Sequence, residues 1–342
     1  MAHDPRFSIV IPVYNTGLYL KETLESLLGQ TFKDFEAIII NDGSTDNSWE
    51  IIESIKDARF TKIDLNENKG ISAARNIGLE KAQGELLAII DSEDIADPKW
   101  LEKIDVFFIT NKDVDIVGTA LKVFGDSNGI VSFPEENDDI EAKMIFSNSI
   151  NHPGAVVRMA AIEKSGARYD ESLTSAVDYD FWRQFLTEFK FHNIQEPLVS
   201  YRRHHKQVSS AQSVKQNSNA DIVRNKLIDK FFPEIGADER KVLRVLSQWE
   251  ELKSENEMRA IYKLLDKLLK LNDKRARFSK ASLKERAYHF WSNIFYENAS
   301  ASLKLWFKLT GLDLFRSLSV KTALRSRCFL RALKRSVSGG SN

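Results

Sequence analysis

Three groups of polar residues follow apolar segments near the amino terminus, and their types suit the binding of a nucleotide and a cation. Tyr14 has a ring that can stack on a base, and Asp42 has a carboxylate that can accept a ring N–H. Asp91, Glu93 and Asp94 together offer the oxygen ligands that hard divalent cations prefer. The segments with Asp42 and with Asp91, each taken singly, are typical of ordinary helix-capping turns, so their significance depends on where the three groups lie in the fold.

Alternating strand and helix signals predict that these groups share one edge of a sheet. Apolar, β-branched runs predict strands at Phe7–Val13, Phe35–Ile40, Phe60–Leu65 and Glu85–Ile90, with helical patterns between them. Nearly continuous apolar strands that alternate with helices are typical of a parallel sheet covered on both faces. Ligands of such sheets bind outside the carboxyl ends of the strands, so we expect the polar groups to form one site.

Two common nucleotide-binding motifs are missing from the sequence. No G-x-G-x-x-G follows the first predicted strand, and no G-x-x-x-x-G-K-[ST] occurs anywhere. A dinucleotide-dependent dehydrogenase and a P-loop enzyme are therefore both disfavoured.

The pattern of the chain changes near residue 213. Residues 106–212 are less regular than the first third, whereas from 213 onward the pattern is helical almost throughout. We therefore predict an α/β domain over residues 1–212, divided into halves 1–105 and 106–212. A helical region over residues 213–342 follows it.

Four stretches of the first third resemble the nucleotide-binding half of glycosyltransferase family 2 enzymes: SIVIPVYN, SLLGQTFKDFEAIIINDGSTDNS, NKGISAARNIGL and LLAIIDSEDIADP. The resemblance is nearly continuous over residues 6–105. It extends more weakly to about residue 210 through NHPGAVVRMAAIEKSGARYDESL, VDYDFWRQF and PLVSYRRHHKQVS. It implies the GT-A fold, a Rossmann-like α/β fold with a mostly parallel sheet flanked by helices. It also implies transfer of a sugar from a nucleotide-sugar with inversion of the anomeric centre.

The resemblance implies roles for individual residues. Positions that line the nucleotide pocket or contact the donor are matched by Pro12, Tyr14, Asn15, Asp42, Arg75, Asp91 and Ser92. A divalent cation, Mn²⁺ or Mg²⁺, is implied at the diphosphate, with Asp91, Glu93 and His204 at the metal positions. Asp178, in VDYDFW, matches the proposed catalytic base.

Two positions depart from the family pattern. Glu93 stands where Asp is usual and is one methylene longer, so the metal or its loop must shift. Catalytic geometry is sensitive to displacements of about 1 Å. Val177 stands where Glu is usual. Because a neighbouring carboxylate raises a pKa, we expect its loss to leave Asp178 a weaker base.

The residues alone leave the identity of the base open between Asp178 and Asp180. Both lie in a predicted helix over Ser175–Glu188, where side chains two positions apart point to different faces. We therefore expect only one of them in the cleft, and the family match favours Asp178. The neighbouring Phe181 and Trp182 are expected to lie in the core rather than to bind an acceptor.

The residue types suit sugar transfer from a nucleoside diphosphate. A cation held by carboxylates stabilises the departing diphosphate, and one carboxylate base removes the proton of the acceptor hydroxyl. We expect a UDP-sugar donor and a saccharide or lipid-linked acceptor, in bacterial surface polysaccharide or lipooligosaccharide synthesis. One alternative is a sugar nucleotidyltransferase, although PVYNTGLY lacks the Gly-rich basic loop usual there. Another is a catalytically weak, transferase-like binding module, which Glu93 and Val177 motivate.

Composition and the amino terminus indicate a cytoplasmic protein with a packed core. Of the 342 residues, 42% are apolar and 29% are charged. The single cysteine, Cys328, excludes a disulfide within the chain and a zinc site built on thiolates. The segment MAHDPRFSIVIPVYN lacks the pattern of a signal peptide, and no apolar run approaches the ~20 residues of a membrane span.

A balanced total charge hides a basic carboxyl-terminal region. The segment Lys274–Asn342 carries 15 Lys and Arg against 3 Asp and Glu, whereas residues 1–273 carry 34 against 46. Val320–Arg335 combines an apolar face with flanking arginines, as interfacial helices do. One hypothesis is peripheral attachment to the anionic inner face of the plasma membrane; the other is packing on the body or on a partner. No nucleic-acid-binding module is recognisable, so no nucleic acid partner is expected.

Overall fold

The computed structural model describes residues 4–204, 213–248 and 255–298. The chain divides into two compact units, residues 1–223 and 224–342. The division falls inside a helix that begins at Ser213, the residue at which the sequence predicts the start of the helical region.

The first unit contains a sheet and the helices around it. Its strands are β1 (Phe7–Val13), β2 (Phe35–Asp42), β3 (Phe60–Leu65), β4 (Leu86–Ile89), β5 (Ile95–Ala96), β6 (Ile116–Gly125), β7 (Gly129–Val131), β8 (Val156–Arg158) and β9 (Phe191–Arg203). Its helices are α1 (Gly17–Leu28), α2 (Ser48–Ser54), α3 (Ile71–Lys81), α4 (Trp100–Thr110), α5 (Asn137–Met144), α6 (Met159–Ser165) and α7 (Val177–Arg183). Helix α8 (Ser213–Phe231) begins in the first unit and ends in the second.

The second unit is helical over its described residues. It contains the end of α8 and the helices α9 (Ala237–Gln248), α10 (Glu255–Arg275) and α11 (Lys280–Asn298). Its core is formed by residues such as Leu243, Leu265 and Trp291, which are all buried.

Among the described residues, nine strands form one sheet in the order β3-β2-β1-β4-β8-β6-β9-β5, with β7 paired to β6. The strands β3, β2, β1 and β4 are parallel, as predicted for the first third. Strand β8 runs antiparallel to both β4 and β6, and β9 runs parallel to β6. The predicted α/β fold is therefore confirmed, with antiparallel pairs entering in its second half.

The apolar pattern of β1 and α1 explains how the first unit is held together. All seven residues of β1 are buried. In α1 the buried leucines Leu20, Leu24 and Leu27 recur at helical spacing, so they cover one face of the sheet. Burial of one such leucine contributes roughly 1.5–3 kcal/mol. Phe181 and Trp182 of α7 are fully buried, which confirms the prediction that they belong to the core.

Two predictions concern membranes. Over the described ranges 4–204, 213–248 and 255–298, no helix is long and apolar enough to cross a bilayer. The predicted basic amphipathic segment, Val320–Arg335, lies outside the described residues.

Candidate active site

The loops after β1 and β2 are joined through Asn15. Its backbone has a φ of 53°, in the left-handed region that a non-glycine residue rarely occupies. In this conformation its N–H donates to Ser44 Oγ at 3.0 Å, and its Oδ1 accepts the Thr45 N–H at 2.8 Å. The neighbouring Pro12 is buried, whereas Tyr14 is 48% exposed. The exposed ring of Tyr14 is therefore available to stack on a ligand.

Asp46 fixes the starts of two helices at this edge. Its Oδ1 accepts the Ser48 N–H of α2 at 3.0 Å, and its Oδ2 accepts the Gly17 N–H of α1 at 2.9 Å. These two bonds join the loop after β2 to both helices.

Asp42, at the end of β2, fastens the loop that leads into α3. Its carboxylate accepts the Lys69 N–H at 2.7 Å and the Gly70 N–H at 3.0 Å. Gly43 allows this close approach, because a Cβ at that position would lie 2.6 Å from the carbonyl carbon of Glu67. A carboxylate has about four acceptor positions, so Asp42 keeps acceptor capacity for the N–H of a base.

Arg75 and Asp91 are brought together from α3 and the end of β4. Arg75 Nη2 donates to Asp91 Oδ1 at 2.7 Å, and the Arg75 side chain is only 4% exposed. The guanidinium carbon lies 5.5 Å from the centre of the Tyr169 ring. In the described part of the chain, Arg75 Nε is buried without a hydrogen-bond partner. A buried cation with one paired carboxylate and one unpaired N–H has capacity for a further anionic or carbonyl group.

Ser92 lies inside the molecule rather than at the surface of the site. Its hydroxyl accepts a hydrogen bond from Thr16 Oγ1 at 3.0 Å, and its carbonyl accepts one from Thr23 Oγ1 at 3.0 Å. These bonds fasten the loop after β4 to α1, while a contact of Ser92 with the nucleotide stays a prediction.

Glu93 and His204 meet at the edge of the sheet although they are far apart in sequence. Glu93 Oε2 lies 3.0 Å from His204 Nε2, and the imidazole packs 4.9 Å from the ring of Tyr19. Arg202, which the sequence did not single out, holds the backbone of the acidic loop. Its Nε donates to the Glu93 carbonyl at 3.0 Å, and its N–H donates to Asp94 Oδ1 at 2.9 Å.

The guanidinium of Arg202 is itself fixed between two aromatic rings. It lies 4.6 Å from the centre of Tyr19 and 4.5 Å from that of Phe124. Its position within YRRH, beside His204, is the signal that could have identified it. Burial and the charge of Asp91 raise the pKa of Asp94 well above its usual range, against the Arg202 N–H bond, so Asp94 keeps its proton to a higher pH than an exposed aspartate does.

The donor set fits a divalent cation in part. Glu93 Oε2 and His204 Nε2 are separated by 3.0 Å, a hydrogen-bond distance that two neighbouring ligands of one octahedral ion with bonds of about 2.1 Å would also have. Asp91 Oδ1 is bonded to Arg75, which leaves Oδ2 for a ligand, and the place of Asp91 at the metal stays a prediction. Over the described ranges no three His, Cys, Asp or Glu side chains converge to hold an ion by themselves. Sites that bind Mg²⁺ through one or two carboxylates and substrate phosphates match this arrangement in its acidic side chain.

The structure distinguishes Asp178 from Asp180 on α7. Asp180 is 1% exposed and its Oδ1 accepts a bond from Arg183 Nε at 2.7 Å, so it is the buried member of an ion pair with a half-buried arginine. Asp178 is half-buried and its Oδ2 accepts the Asn148 amide at 2.8 Å. No sequence pattern marked Asn148.

The surroundings of Asp178 change the pKa of its carboxylate. Burial raises its pKa above the usual range, and the charge of Asp91 adds to the increase. The backbone N–H of Tyr179 and the charge of Arg75 act in the opposite direction. Val177, which stands where the family usually has glutamate, is buried and uncharged, and the pKa of Asp178 is raised by its own burial and by Asp91. The residue before α7, Ala176, has a φ of 54°, and such strain often accompanies functional sites.

Comparison with known proteins gives the family. The model of the family described as Glycosyl transferase family 2 matches residues 8–168. An uncharacterized glycosyltransferase of Haemophilus influenzae is 30% identical over 251 residues, which are 70% of this chain and 78% of that protein. An uncharacterized glycosyltransferase of Methanocaldococcus jannaschii is 38% identical over 208 residues, 58% of this chain and 71% of that protein.

A solved structure shares the fold. The crystal structure of residues 1–349 of S. aureus TarS in complex with UDP-GlcNAc aligns with a TM-score of 0.60 at 18% sequence identity. The alignment covers 84% of this chain and 90% of the TarS chain. Together with the sequence relatives, this likeness shows that the chain is a GT-A glycosyltransferase that belongs to glycosyltransferase family 2.

Proposed function

We propose that the chain transfers a sugar from a UDP-sugar to a hydroxyl group of a saccharide or lipid-linked acceptor, with inversion at the anomeric carbon. The observation that carries this proposal is the arrangement around Arg75. Its buried guanidinium pairs with Asp91, and both groups act on the pKa of Asp178. The charges of Arg75 and Asp91, which lie on the proposed donor side, thus act on Asp178, the proposed base.

Asp178 takes the proton of the acceptor hydroxyl in this proposal. Asn148 holds the carboxylate through Oδ2, and the raised pKa makes it a stronger base than an exposed aspartate. The acceptor oxygen then attacks C1 from the face opposite the diphosphate. A single displacement inverts the anomeric centre, and no carboxylic acid is needed because the diphosphate leaves as an anion.

Glu93 and His204, together with Asp91 as predicted from the sequence, are the residues that would hold a divalent cation, Mn²⁺ or Mg²⁺. When bound, such an ion stabilises the negative charge of the departing diphosphate as a Lewis acid. Arg202 fixes the backbone of Glu93, so the carboxylate is held in place before the donor binds. Arg75 keeps Asp91 oriented by a charge-assisted bond.

Tyr14 and Asp42 are proposed to recognise the uracil base, by stacking and by accepting the N3–H. TarS shares the fold and was crystallised with UDP-GlcNAc, which makes this donor the first to test. Synthesis of a bacterial surface polysaccharide or lipooligosaccharide is the proposed pathway, because a hydroxyl acceptor of this class suits a family 2 transferase.

A comparison of UDP with CDP is expected to test base recognition. In the presence of Mn²⁺, UDP at 100 times its Kd stabilises the protein by about 2.7 kcal/mol, which thermal denaturation detects as a rise in Tm. CDP is expected to give a smaller rise in Tm, because N3 of cytosine has no N–H that could donate a hydrogen bond to Asp42. An equal rise with both nucleotides would contradict the role of Asp42. Absence of transfer or hydrolysis with every UDP-sugar tested would contradict the proposed function itself.

The basic region from Lys274 onward supports a second proposal, peripheral binding to anionic membranes. We expect the full chain to float with phosphatidylglycerol vesicles and a chain truncated near residue 300 to float less, because each surface Lys or Arg contributes about 1 kcal/mol. Added salt should release the protein, since the attraction is screened. Phosphatidylcholine vesicles serve as the control. Failure of both chains to float would refute the proposal.

A further inference from the structure

Asn76, the residue after Arg75 on α3, forms a reciprocal pair with the backbone of Tyr169. Its Oδ1 accepts the Tyr169 N–H at 2.9 Å, and its Nδ2 donates to the Tyr169 carbonyl at 3.0 Å. Nδ2 also donates to Glu171 Oε1 at 2.8 Å. The Asn76 amide thus satisfies both backbone groups of Tyr169, in the segment before α7. These bonds join the proposed donor side of the fold to the proposed acceptor side.

The side chain of Tyr169 makes a second connection between the same parts. Its ring stacks on Phe181 of α7, with centroids 4.2 Å apart and planes inclined by 8°. The guanidinium of Arg75 lies 5.5 Å from the same ring, and the Tyr169 hydroxyl lies 3.2 Å from His152 Nε2. Tyr169 therefore contacts both the helix that carries Asp178 and the residue that holds Asp91.

Helix α7 needs such contacts to keep its orientation. It has seven residues and follows a left-handed alanine, Ala176. Helices of this length are marginal by themselves, so packing decides where α7 points. A displacement of about 1 Å at a reacting group can lower a rate roughly 100-fold.

We propose that Asn76 and Tyr169 are positioning residues that fasten α7, and with it Asp178, to the donor side of the active site. The inference rests on the proposed function only in that Asp178 acts as the base. A residue of this kind is expected to affect kcat, because it sets the distance from base to acceptor. It is expected to affect the KM for the donor much less, because Tyr14 and Asp42 lie on other loops.

The variant Asn76→Ala tests the proposal against a closely matched control. In α10, Asn272 makes the same reciprocal pair, with its Nδ2 2.9 Å from the Phe278 carbonyl and its Oδ1 3.0 Å from the Phe278 nitrogen. We expect Asn76→Ala to lower kcat roughly 10- to 100-fold and to change the donor KM less than about threefold. Asn272→Ala removes equivalent bonds and is expected to leave kcat unchanged. Equal kcat values for the two variants would overturn the inference.

Substitutions of Tyr169 provide a second test if Asn76→Ala does not fold. Tyr169→Leu removes the ring that contacts Phe181 and Arg75, whereas Tyr169→Phe removes only the hydroxyl near His152. We expect Tyr169→Leu to lower kcat by at least about tenfold more than Tyr169→Phe. Equal losses in the two variants would overturn the role of the ring.

Amide hydrogen exchange separates this inference from the proposed function. Exchange in residues 169–183 is expected to accelerate in Asn76→Ala, whereas exchange in β1 and β2 is expected to stay unchanged. This result requires no substrate, so it decides whether the segment is fastened even if no UDP-sugar is turned over. Unchanged exchange in residues 169–183 would overturn the inference, and a wild-type protein without transfer would overturn only the proposed function.

Discussion

The variant Asp178→Asn is expected to lower kcat by roughly 10²- to 10⁴-fold, the range typical of a lost general base. Asparagine has the size of aspartate and can still bond to Asn148, but it cannot take a proton from the acceptor. We expect the KM for the donor and the Kd for UDP to change by less than about threefold, because this carboxylate acts on the acceptor. Steady-state transfer kinetics and calorimetric titration with UDP measure the two effects.

The pH dependence of kcat in the wild-type protein should reflect the ionisation of Asp178. Asp178 must be ionised to act as the base, so kcat is expected to fall as the pH falls through its pKa. Burial and Asp91 raise that pKa, while the Tyr179 N–H and Arg75 oppose the increase, and the net direction is upward. The acid limb should therefore lie above the value of about 3.9 that is usual for aspartate, and Asp178→Asn should abolish it.

The free energy of unfolding should fall over the pH range in which kcat rises. Because the folded protein holds this proton at higher pH than the unfolded chain does, ionisation of Asp178 reduces stability as the pH rises through the raised pKa. Asp178→Asn removes that reduction. We therefore expect its free energy of unfolding above this pH range to equal or exceed that of the wild-type protein.

Asp180→Asn provides the comparison on the same helix. It weakens the buried pair with Arg183, which is expected to reduce stability by roughly 1.5–3 kcal/mol. Its kcat is expected to stay within about tenfold of the wild-type value, since Asp180 is committed to this pair. Full transfer by Asp178→Asn, or a larger loss of kcat in Asp180→Asn, would refute the assignment of the base.

The first half of the fold could be predicted because its signals are local. Strands β1 and β3 have the predicted bounds, since a run of apolar residues between turn residues is sufficient to define a buried strand. The polar ends of β1, β2 and β4 then had to share one edge, because the strands are parallel.

The contacts of the site could not be predicted in the same way, because they join distant segments. The pair of Glu93 and His204 depends on β9, which returns to the sheet beside β6. Nothing in the residue types shows that Asp91 is bonded to Arg75.

Helix α7 shows how tertiary context changes an element. The sequence predicts a helix over Ser175–Glu188, whereas the structure has α7 over Val177–Arg183. Left-handed residues, Ala176 and Thr187, flank it on both sides. A helical pattern in the sequence does not reveal such interruptions, because neither alanine nor threonine favours that conformation.

Removal of divalent cations with a chelator is expected to abolish most of the transfer activity. Stabilisation of the departing diphosphate by a cation is worth several kcal/mol, which corresponds to a loss of roughly 10²- to 10³-fold in kcat. Mn²⁺ or Mg²⁺ should restore the activity. Glu93→Gln keeps the size of the side chain but removes its charge, so it should raise the metal concentration needed for half-maximal rate by at least about tenfold.

The variant Glu93→Asp makes the metal prediction more specific, because it introduces the residue that is usual in the family. Arg202 fixes the backbone of this loop through the Glu93 carbonyl and Asp94, so the loop cannot easily advance to compensate for a shorter side chain. The carboxylate would then lie farther from His204 than the present 3.0 Å. We therefore expect Glu93→Asp to raise the metal requirement, although it restores the family pattern.

The surface variant Glu196→Gln, which loses an ion pair with Lys103, is the control for loss of a carboxylate and should leave the metal requirement unchanged. Transfer that persists in the chelator would contradict the metal site altogether. A metal requirement that stays the same in both Glu93→Gln and Glu93→Asp would show that the ion, if needed, is held elsewhere. A lower requirement in Glu93→Asp alone would mean that the acidic loop moves when the donor binds, despite the bonds of Arg202.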